Sequence, residues 1–376
     1  MADIYQSSIS SKQTRRKKSS RGREPWLTTA DAFVGIVMLI LAFATAVCLI
    51  NPHIAPERMG ILSVVALAAP VIYLLDIAVM LYWVVRGRWR MLFGSAIVAI
   101  AATTALGKYC RVDLTRNYPT TYNERKCIKV MTYNVANGTA PGIVEYVKEH
   151  NPSILCLQEF LFDYNDNWDV LGDKYSTTAD GFHDFSCEIM SRYPIIRHGE
   201  VDSIRRFNGV WADLRIDEDT VRVINLHLQS THIRAQDTQF IEEYGYLRDS
   251  NRTGRLRSIL ERLADNNVKR ARQARHVREF IERTPYRNII VCGDFNDVPL
   301  SYNYRHIAHS LNNAFAEAGS GYSYTFNGFY RLLTIDYVLV SEPFEVLSYD
   351  VDHTAEYSDH YPVTTRLKIK HDNDKK

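Results

Sequence analysis

Six apolar stretches of this chain deliver the same few polar side chains at or beside their ends. Asn134 lies near the end of Ile128–Val135, Glu159 follows Ser153–Leu157, and His227 lies near the end of Val221–Leu228. Asp294 and Asn296 follow Ile289–Cys292, Asp336 opens the run Ile335–Val340, and Asp359 with His360 precedes Val363–Ile369. Charged groups at the mouth of a buried strand are costly unless something compensates them. A metal ion, or a substrate phosphate held by one, is a natural compensator. Taken alone, Gly293–Asp297 also reads as a strand running into an Asx-rich turn. A lone Glu after a strand is usually solvated, and a lone His in one is usually a satisfied core residue. Recurrence at six strand ends makes these residues site candidates. The set is rich in oxygen donors, and no Cys pair or Cys/His pair stands at zinc spacing. It suits Mg²⁺, Mn²⁺ or Ca²⁺ better than Zn²⁺.

The elements that must position these groups begin at Ile128, where the pattern becomes α/β. Strands are expected over Ile128–Val135, Ser153–Leu157, Cys187–Ser191, Ile335–Val340, Phe344–Val351 and Val363–Ile369. Four apolar residues at 289–292 read as a strand covered on both faces. Val210–Ile216 and Val221–Leu228 read as a hairpin around Asp217–Asp219. Pro141 opens a short amphipathic helix that turns Ile143, Val144 and Val147 inward. Residues 234–287 hold 13 Lys+Arg against 8 Asp+Glu. Leu256, Ile259, Leu260 and Leu263 recur there at helical spacing, as do Ala274, Val277, Phe280 and Ile281, so most of the charge is the solvated face of helices. A basic rim facing a substrate is the sharper alternative.

Ahead of this part, composition changes. Residues 1–90 hold 11 Lys+Arg and 5 Asp+Glu, a net of +6, leaving 34 and 38, a net of −4, for residues 91–376. The soluble part therefore lacks the basic footprint of a dedicated nucleic-acid binder. Residues 1–28 form a basic arm too polar for a core. Three apolar runs follow at about 32–50, 61–85 and 91–106 within 29–107, each near the ~20 residues a bilayer needs. Two further spans after the first argue against a cleaved signal peptide. Arg86, Arg88 and Arg90 lie between the second and third runs, whereas the loop at 51–60 has only Glu57 and Arg58. The positive-inside bias then predicts an integral membrane protein with a cytoplasmic N-terminus and its soluble domain outside the cytoplasm. Trp26, Trp83 and Trp89 are placed as interface aromatics. Asp76, inside the second run with no charged partner in the others, reads as a polar helix–helix contact. A polar linker spans 108–126, the soluble domain 127–370, and a polar tail 371–376. Cys110 and Cys127 flank the linker and could pair in an oxidising compartment; two free thiols is the simpler reading.

The motifs themselves are familiar. Thr-Tyr-Asn at 132–134, Leu-Gln-Glu at 157–159, Asn-Leu-His-Leu at 225–228, Gly-Asp-Phe-Asn at 293–296, Ile-Asp-Tyr-Val at 335–338 and Ser-Asp-His at 358–360 occur in this order. Over roughly 127–370 the chain resembles the endonuclease/exonuclease/phosphatase superfamily, here of a membrane-anchored bacterial type. That superfamily includes pancreatic-type deoxyribonucleases, abasic-site endonucleases, inositol polyphosphate 5-phosphatases and bacterial sphingomyelinases. The resemblance implies a four-layer α/β fold, two packed β-sheets flanked by helices, with the site at one end of the sandwich. It implies that Glu159 is the principal Mg²⁺ ligand (Mn²⁺ being the alternative), with Asn134 close by and Asp359 a second carboxylate on the metal side. Asp294 would orient or deprotonate the attacking water, and Asn296 would hold that water or a phosphoryl oxygen. His360 would contact the phosphate, Asp336 would fix the tautomer of His360, and His227 would contact phosphate or leaving group. One departure concerns Leu332-Leu333-Thr334, which stand where the family often has Arg or a small polar residue. The resemblance therefore does not carry substrate contacts over to that segment, though it does carry over Asp336.

These residue types suit hydrolysis of an anionic ester: charge neutralisation by a divalent cation, a carboxylate to activate water, and His and Asn to complete an electrostatic cradle. The expected protein is a membrane-anchored hydrolase of phosphodiester or phosphomonoester bonds, with a nuclease-like phosphodiesterase ahead of a sphingomyelinase-like or inositol-phosphate/lipid phosphoesterase. Its expected partners are a phosphate-ester substrate (nucleic acid, lipid headgroup or small diester) and the bilayer, with no protein partner evident. A catalytically dead, membrane-tethered binding domain would show gaps in the set, and none is found. A transporter is disfavoured by three spans with one acid and no repeat.

Overall fold

The computed structural model describes residues 28–112, 127–161, 166–172, 174–178, 187–201, 208–231, 237, 240 and 251–371. The basic arm with Trp26, the linker from 113 onward, the start of the basic segment at 232–250 (apart from 237 and 240) and the tail from 372 lie outside the described residues.

Helix α1 (Thr29–Ile50) starts in a capping box, Thr28 and Asp31 each accepting the other's backbone N–H. After a 3₁₀ turn at Asn51–His53 and the short α2 (Pro56–Met59), the chain winds as a 3₁₀ helix over Gly60–Ala68. It continues as α3 (Ala69–Arg86), turns at Gly87 in the left-handed region, and runs back as α4 (Trp89–Leu106). Three stretches, Thr29–His53, Pro56–Arg86 and Trp89–Leu106, are long and apolar enough to cross a membrane. Arg86 and Arg88 from the α3–α4 turn reach Asp31 at the head of α1, at 2.8 and 3.2 Å, so these basic residues gather at one end of the bundle. Thr45 Oγ1 donates to Asp76 Oδ2 at 2.6 Å, the helix–helix contact expected for that acid. Trp83 is fully buried among the helices and not an interface aromatic; Trp89 is exposed.

Fourteen strands are described: β1 (Cys110–Arg111), β2 (Ile128–Asn137), β3 (Ile154–Phe160), β4 (Ser176–Thr177), β5 (Cys187–Ser191), β6 (Ile195–Glu200) and β7 (Asn208–Ile216), then β8 (Asp219–His227), β9 (Asn288–Asp294), β10 (Asn312–Asn313), β11 (Gly321–Tyr322), β12 (Asp336–Val340), β13 (Phe344–Val351) and β14 (Val363–Ile369). Among them run α5 (Ile143–His150), α6 (Arg252–Glu282), α7 (Tyr302–Ile307) and α8 (Ala314–Ala318). One mixed sheet has the order β13-β14-β2-β3-β5-β4 and the other β10-β12-β9-β8-β7-β6.

Side-chain alternation explains the layers. In β9, Ile290 and Cys292 face the opposite sheet and pack with its Val130 and Cys156, as does Val338 of neighbouring β12. Ile289 and Val291 face outward and are covered by Val277 and Ile281 of α6. Both faces are thus dry, which is why the run is continuously apolar. On the far side, Val144 and Val147 of α5 cover Leu155 and Leu157 of β3. The result is the expected four layers of helix, sheet, sheet and helix.

Topology then fixes where the strand ends lie. β2 and β3 are parallel, as are β8 and β9, while β12 runs antiparallel to β9 and β14 antiparallel to β2. The last residues of β2, β3, β8 and β9 therefore share one end of the sandwich with the first residues of β12 and β14. Gly293 is obligatory at that end. Its φ is +128°, and a Cβ there would stand 2.0 Å from the Leu226 carbonyl oxygen on β8.

Some features differ from the sequence expectation. β6 was not anticipated: it is an edge strand whose side chains are all at least partly exposed, so it carries no apolar alternation. The two helical patterns at 256–263 and 274–281 are one 31-residue helix, α6. Its middle buries Asn266, Asn267, Arg270 and Gln273, and this polar face interrupts the apolar period. The start of the polar linker is a strand, β1, which pairs with β11. All six cysteines are free thiols, Cys110 and Cys127 included.

Candidate active site

Asp294, the last residue of β9, is the centre of the site and 1% exposed. Its Oδ1 accepts from the Asn296 backbone N–H at 2.7 Å, an Asx turn made possible by the left-handed backbone of Asn296 (φ 51°). Its Oδ2 accepts from Asn296 Nδ2 at 2.9 Å and from Asn134 Nδ2 at 3.2 Å. Asn296 Nδ2 also donates to the Leu228 carbonyl, tying this turn to the end of β8.

Two groups flank Asp294. On one side, His227 Nε2 stands 3.7 Å from Asp294 and 3.5 Å from Glu159 Oε1. On the other, His360 Nε2 stands 3.8 Å from Asp294, while His360 Nδ1 meets Asp336 Oδ2 at 2.9 Å. The ligand-type atoms of Glu159, His227 and Asp294 lie within 4.8 Å of one another, as do those of Asp294, Asp336 and His360. Seven of the eight residues singled out in the sequence thus converge. Asp359 lines the same cavity, but it is exposed and belongs to neither cluster.

The electrostatics follow from burial. Desolvation pushes the Asp294 carboxyl up to about 6, although His360 and His227 favour its charged form. Burial also opposes a charged His360. The Asp336 and Asp294 carboxylates outweigh it and push the imidazole up to about 10, toward its cationic form. Glu159 differs from both: its side chain is 42% exposed, its backbone is left-handed (φ 50°), and its carboxylate opens toward the cavity. Two carboxylates with a neighbouring imidazole, and no thiolate, are the donor set of a hard divalent cation. Asn134 is placed otherwise. Its amide NH₂ donates to both Glu159 and Asp294, and its oxygen accepts from the Ala136 N–H. In this geometry it orients the two carboxylates.

Further positioning residues had weaker signals or none. Ser358 Oγ donates to the Asn134 carbonyl at 2.7 Å and accepts from the His360 N–H, joining the β14 approach to the end of β2. Gln158 donates to Asn225 Oδ1 at 2.6 Å, and Asn225 Nδ2 donates to the carbonyls of Leu157 and Glu188. This buried clasp joins the two sheets directly beneath the site. All three residues sit inside the quoted motifs without a role of their own. Thr325 left no trace in the pattern. Its hydroxyl accepts from the N–H groups of Ile335 and Asp336 and holds the start of β12.

A cavity of about 440 Å³ opens over these groups. Glu159, Asp294, Asn296, Asp359 and His360 form its polar end. The rest is mostly apolar, apart from Ser230, Thr231 and Tyr330, and includes Leu332 and Leu333, the pair that departs from the familiar pattern.

Residues 131–360 match the model of the Endonuclease/Exonuclease/phosphatase family. The chain belongs to that family. Its members hydrolyse phosphate esters with divalent metal, and this chain is such an enzyme. A second model, a domain of unknown function, matches 31–109, the apolar helices. No curated protein matches. Among solved structures, a humanised TDP2 from D. rerio aligns at 15% identity and TM-score 0.46, covering 64% of this chain and 99% of that one. A family protein of Bacteroides vulgatus aligns at 17% and 0.47, covering 65% and 99%. The mannosyl-6-phosphatase Bt3783 of Bacteroides thetaiotaomicron aligns at 17% and 0.45, covering 64% and 99%.

Proposed function

We propose that this family member is a membrane-anchored, Mg²⁺-dependent phosphoesterase, with Mn²⁺ able to substitute, whose catalytic part (127–370) lies outside the cytoplasm. The carrying observation is the placement of Asp294 between the Glu159/His227 pair and the His360/Asp336 pair. Glu159 and Asp294 would hold the cation, with Asn134 orienting both carboxylates. The cation would neutralise charge on the phosphoryl and leaving oxygens. Asp294, buried between the two pairs, would orient the attacking water and accept its proton. Asn296 positions the water or a phosphoryl oxygen. The cationic His360, its tautomer set by Asp336, stabilises the extra charge as the new P–O bond forms and the ester P–O bond breaks. His227 contacts the phosphate or the leaving oxygen. Asp359, at the exposed rim, would serve as an outer carboxylate.

A nucleic-acid substrate would draw on the basic residues over 234–287. In the described part of that segment many are engaged in ion pairs: Arg257 with Glu261, Arg262 with Asp237, Arg270 with Asp297, Arg275 with Glu57, and Arg278 with Glu282. This weakens the case for a nucleic-acid rim. For topology, the 51–59 segment packs on the catalytic part through Glu57–Arg275 and Asn51–Leu300, at the end of the bundle opposite the Arg86/Arg88 cluster.

The test is hydrolysis of bis-p-nitrophenyl phosphate by the detergent-purified full-length protein. Activity should need Mg²⁺ or Mn²⁺, vanish with EDTA, and fall by about 10²–10⁴ in Glu159→Gln. Wild-type turnover by that variant, or in EDTA, would overturn the reading. A reporter fused after Leu106 should be extracytoplasmic; a cytoplasmic one would overturn the topology.

A further inference from the structure

The apolar wall of the active-site cavity is built partly by the chain's own second apolar segment. Val64, Leu67, Ala68 and Val71 line the cavity that holds Glu159, Asp294 and His360. They belong to the 3₁₀ stretch Gly60–Ala68 and the first turn of α3. Runs of 3₁₀ helix longer than 3–4 residues are uncommon and often mark a functional departure. Departures from α-helix at membrane depth are tolerated where they are buried in protein or line a cavity. Here Ser63, Val64 and Ala66 are buried in protein, and Val64, Leu67 and Ala68 line the cavity.

The wall is anchored. Asn267 Nδ2 of α6 donates to Ser63 Oγ at 2.9 Å, and Asn51 Nδ2 donates to the carbonyls of Ser63 and Leu300. Asn303 Nδ2 links Asn267 to Asp297, the neighbour of Asn296. Val298, Leu300, Leu333 and Ile335 of the catalytic part share one core with Leu41, Ala66, Ile72 and Tyr73 of the helices. The apolar segment is therefore held beside the catalytic groups by buried contacts. Its cavity-lining face remains open: Ala68 is exposed and Val71 is 39% exposed. Leu260 and Leu263 of α6 pack with Val64 and Leu67, and together with Leu332 they extend the cavity's apolar lining, which Ser230 and Thr231 interrupt. A hydrophilic ester would gain nothing from such a wall.

We propose that the substrate is a lipid phosphoester presented from the bilayer, its phosphate at Asp294 and His360 and the first part of its hydrocarbon against Val64, Leu67, Ala68 and Val71. The proposal rests on the phosphoesterase reading above and names its substrate class. The cavity volume is in the range of small-molecule sites, ~300–1,000 Å³. It therefore holds a headgroup and the start of the chains, the remainder staying in the membrane.

The test uses the full-length protein reconstituted in vesicles with Mg²⁺. One arm supplies long-chain phospholipid diesters (phosphatidylcholine, phosphatidylethanolamine, phosphatidylglycerol). A second supplies long-chain monoesters (phosphatidate, a polyprenyl phosphate). A third supplies the deacylated glycerophosphodiesters, bis-p-nitrophenyl phosphate and a single-stranded DNA oligonucleotide. At least one lipid should exceed its deacylated counterpart in kcat/KM by about 100-fold, because the bilayer holds ester and enzyme at one surface and raises the effective concentration. Ala68→Trp and Val71→Trp narrow the apolar limb without entering the packed core. Each should lower the ratio of lipid to soluble-diester turnover by about tenfold or more. Equal or faster turnover of DNA or soluble esters overturns the proposal. So does a fall in both activities that leaves the ratio where it was. Turnover of no ester at all, bis-p-nitrophenyl phosphate included, overturns the phosphoesterase reading and the lipid proposal with it.

Discussion

Replacing Gly293 with alanine tests the geometry that places Asp294. The added Cβ would stand 2.0 Å from the Leu226 oxygen, 2.8 Å from its nitrogen and 2.9 Å from its carbonyl carbon. Ordinary contact is near 3.4 Å, so β8 and β9 must separate by more than about 1 Å, against the ladder in which Leu226 and Gly293 are register partners. Loss of one or two ladder bonds costs about 0.5–1.5 kcal/mol each. A φ of +128° adds about 1–3 kcal/mol for a residue with a side chain. The sum is a loss on the order of 2–6 kcal/mol. Asp294 is the next residue, and a displacement of ~1 Å at a reacting group costs about 10²-fold in rate. Thermal melting of the detergent-solubilised full-length protein reads the first effect, and bis-p-nitrophenyl phosphate hydrolysis per folded molecule reads the second. Gly321→Ala is the control, because Gly321 also has positive φ but no atom within 4 Å of its Cβ position. It should lose only about 1 kcal/mol. Gly293→Ala with the stability and rate of that control would refute the reasoning.

Asp336→Asn removes the carboxylate that does most to keep His360 charged, so the His360 pKa falls from about 10. Activity that needs the imidazolium is lost as pH rises through that pKa, and the alkaline limb of the rate profile should move to lower pH; an unmoved limb would refute the pairing. Asn225→Ala should destabilise by about 2–4 kcal/mol, because it strips the donor from two buried carbonyls and the acceptor from Gln158. Adding Gln158→Met should cost less than the sum of the two single changes in a thermal-melt cycle, and strict additivity would argue against a clasp. Arg270 is 1% exposed and 3.5 Å from Asp297, whose carboxyl burial already pushes upward. Arg270→Met should lose about 3–5 kcal/mol, largely regained with Asp297→Asn, since the penalty is an unpaired buried charge.

The strands and their polar ends were legible because burial leaves a local record. A strand covered on both faces is apolar at every position, as Ile289–Cys292 is, and the first polar residues mark its end. Seven of the eight candidates could be named that way, along with the three apolar runs and the Asp76 contact. Such a record shows that a residue is covered but not what covers it. The partners of Asn134 lie 25 and 160 residues away, and only topology turned its amide toward Glu159 and Asp294. Tertiary structure likewise left Asp359 at the rim, buried Trp83 among the helices, and joined two apolar patterns into α6 through a polar face. Most consequentially, it laid Val64–Val71 along the active-site cavity. By composition that stretch is simply membrane-apolar, since an apolar side chain satisfies lipid, core and substrate equally well. Which of the three it meets depends on Ser63, Asn267 and Asn51, whose hydrogen bonds close across as many as 249 residues of chain.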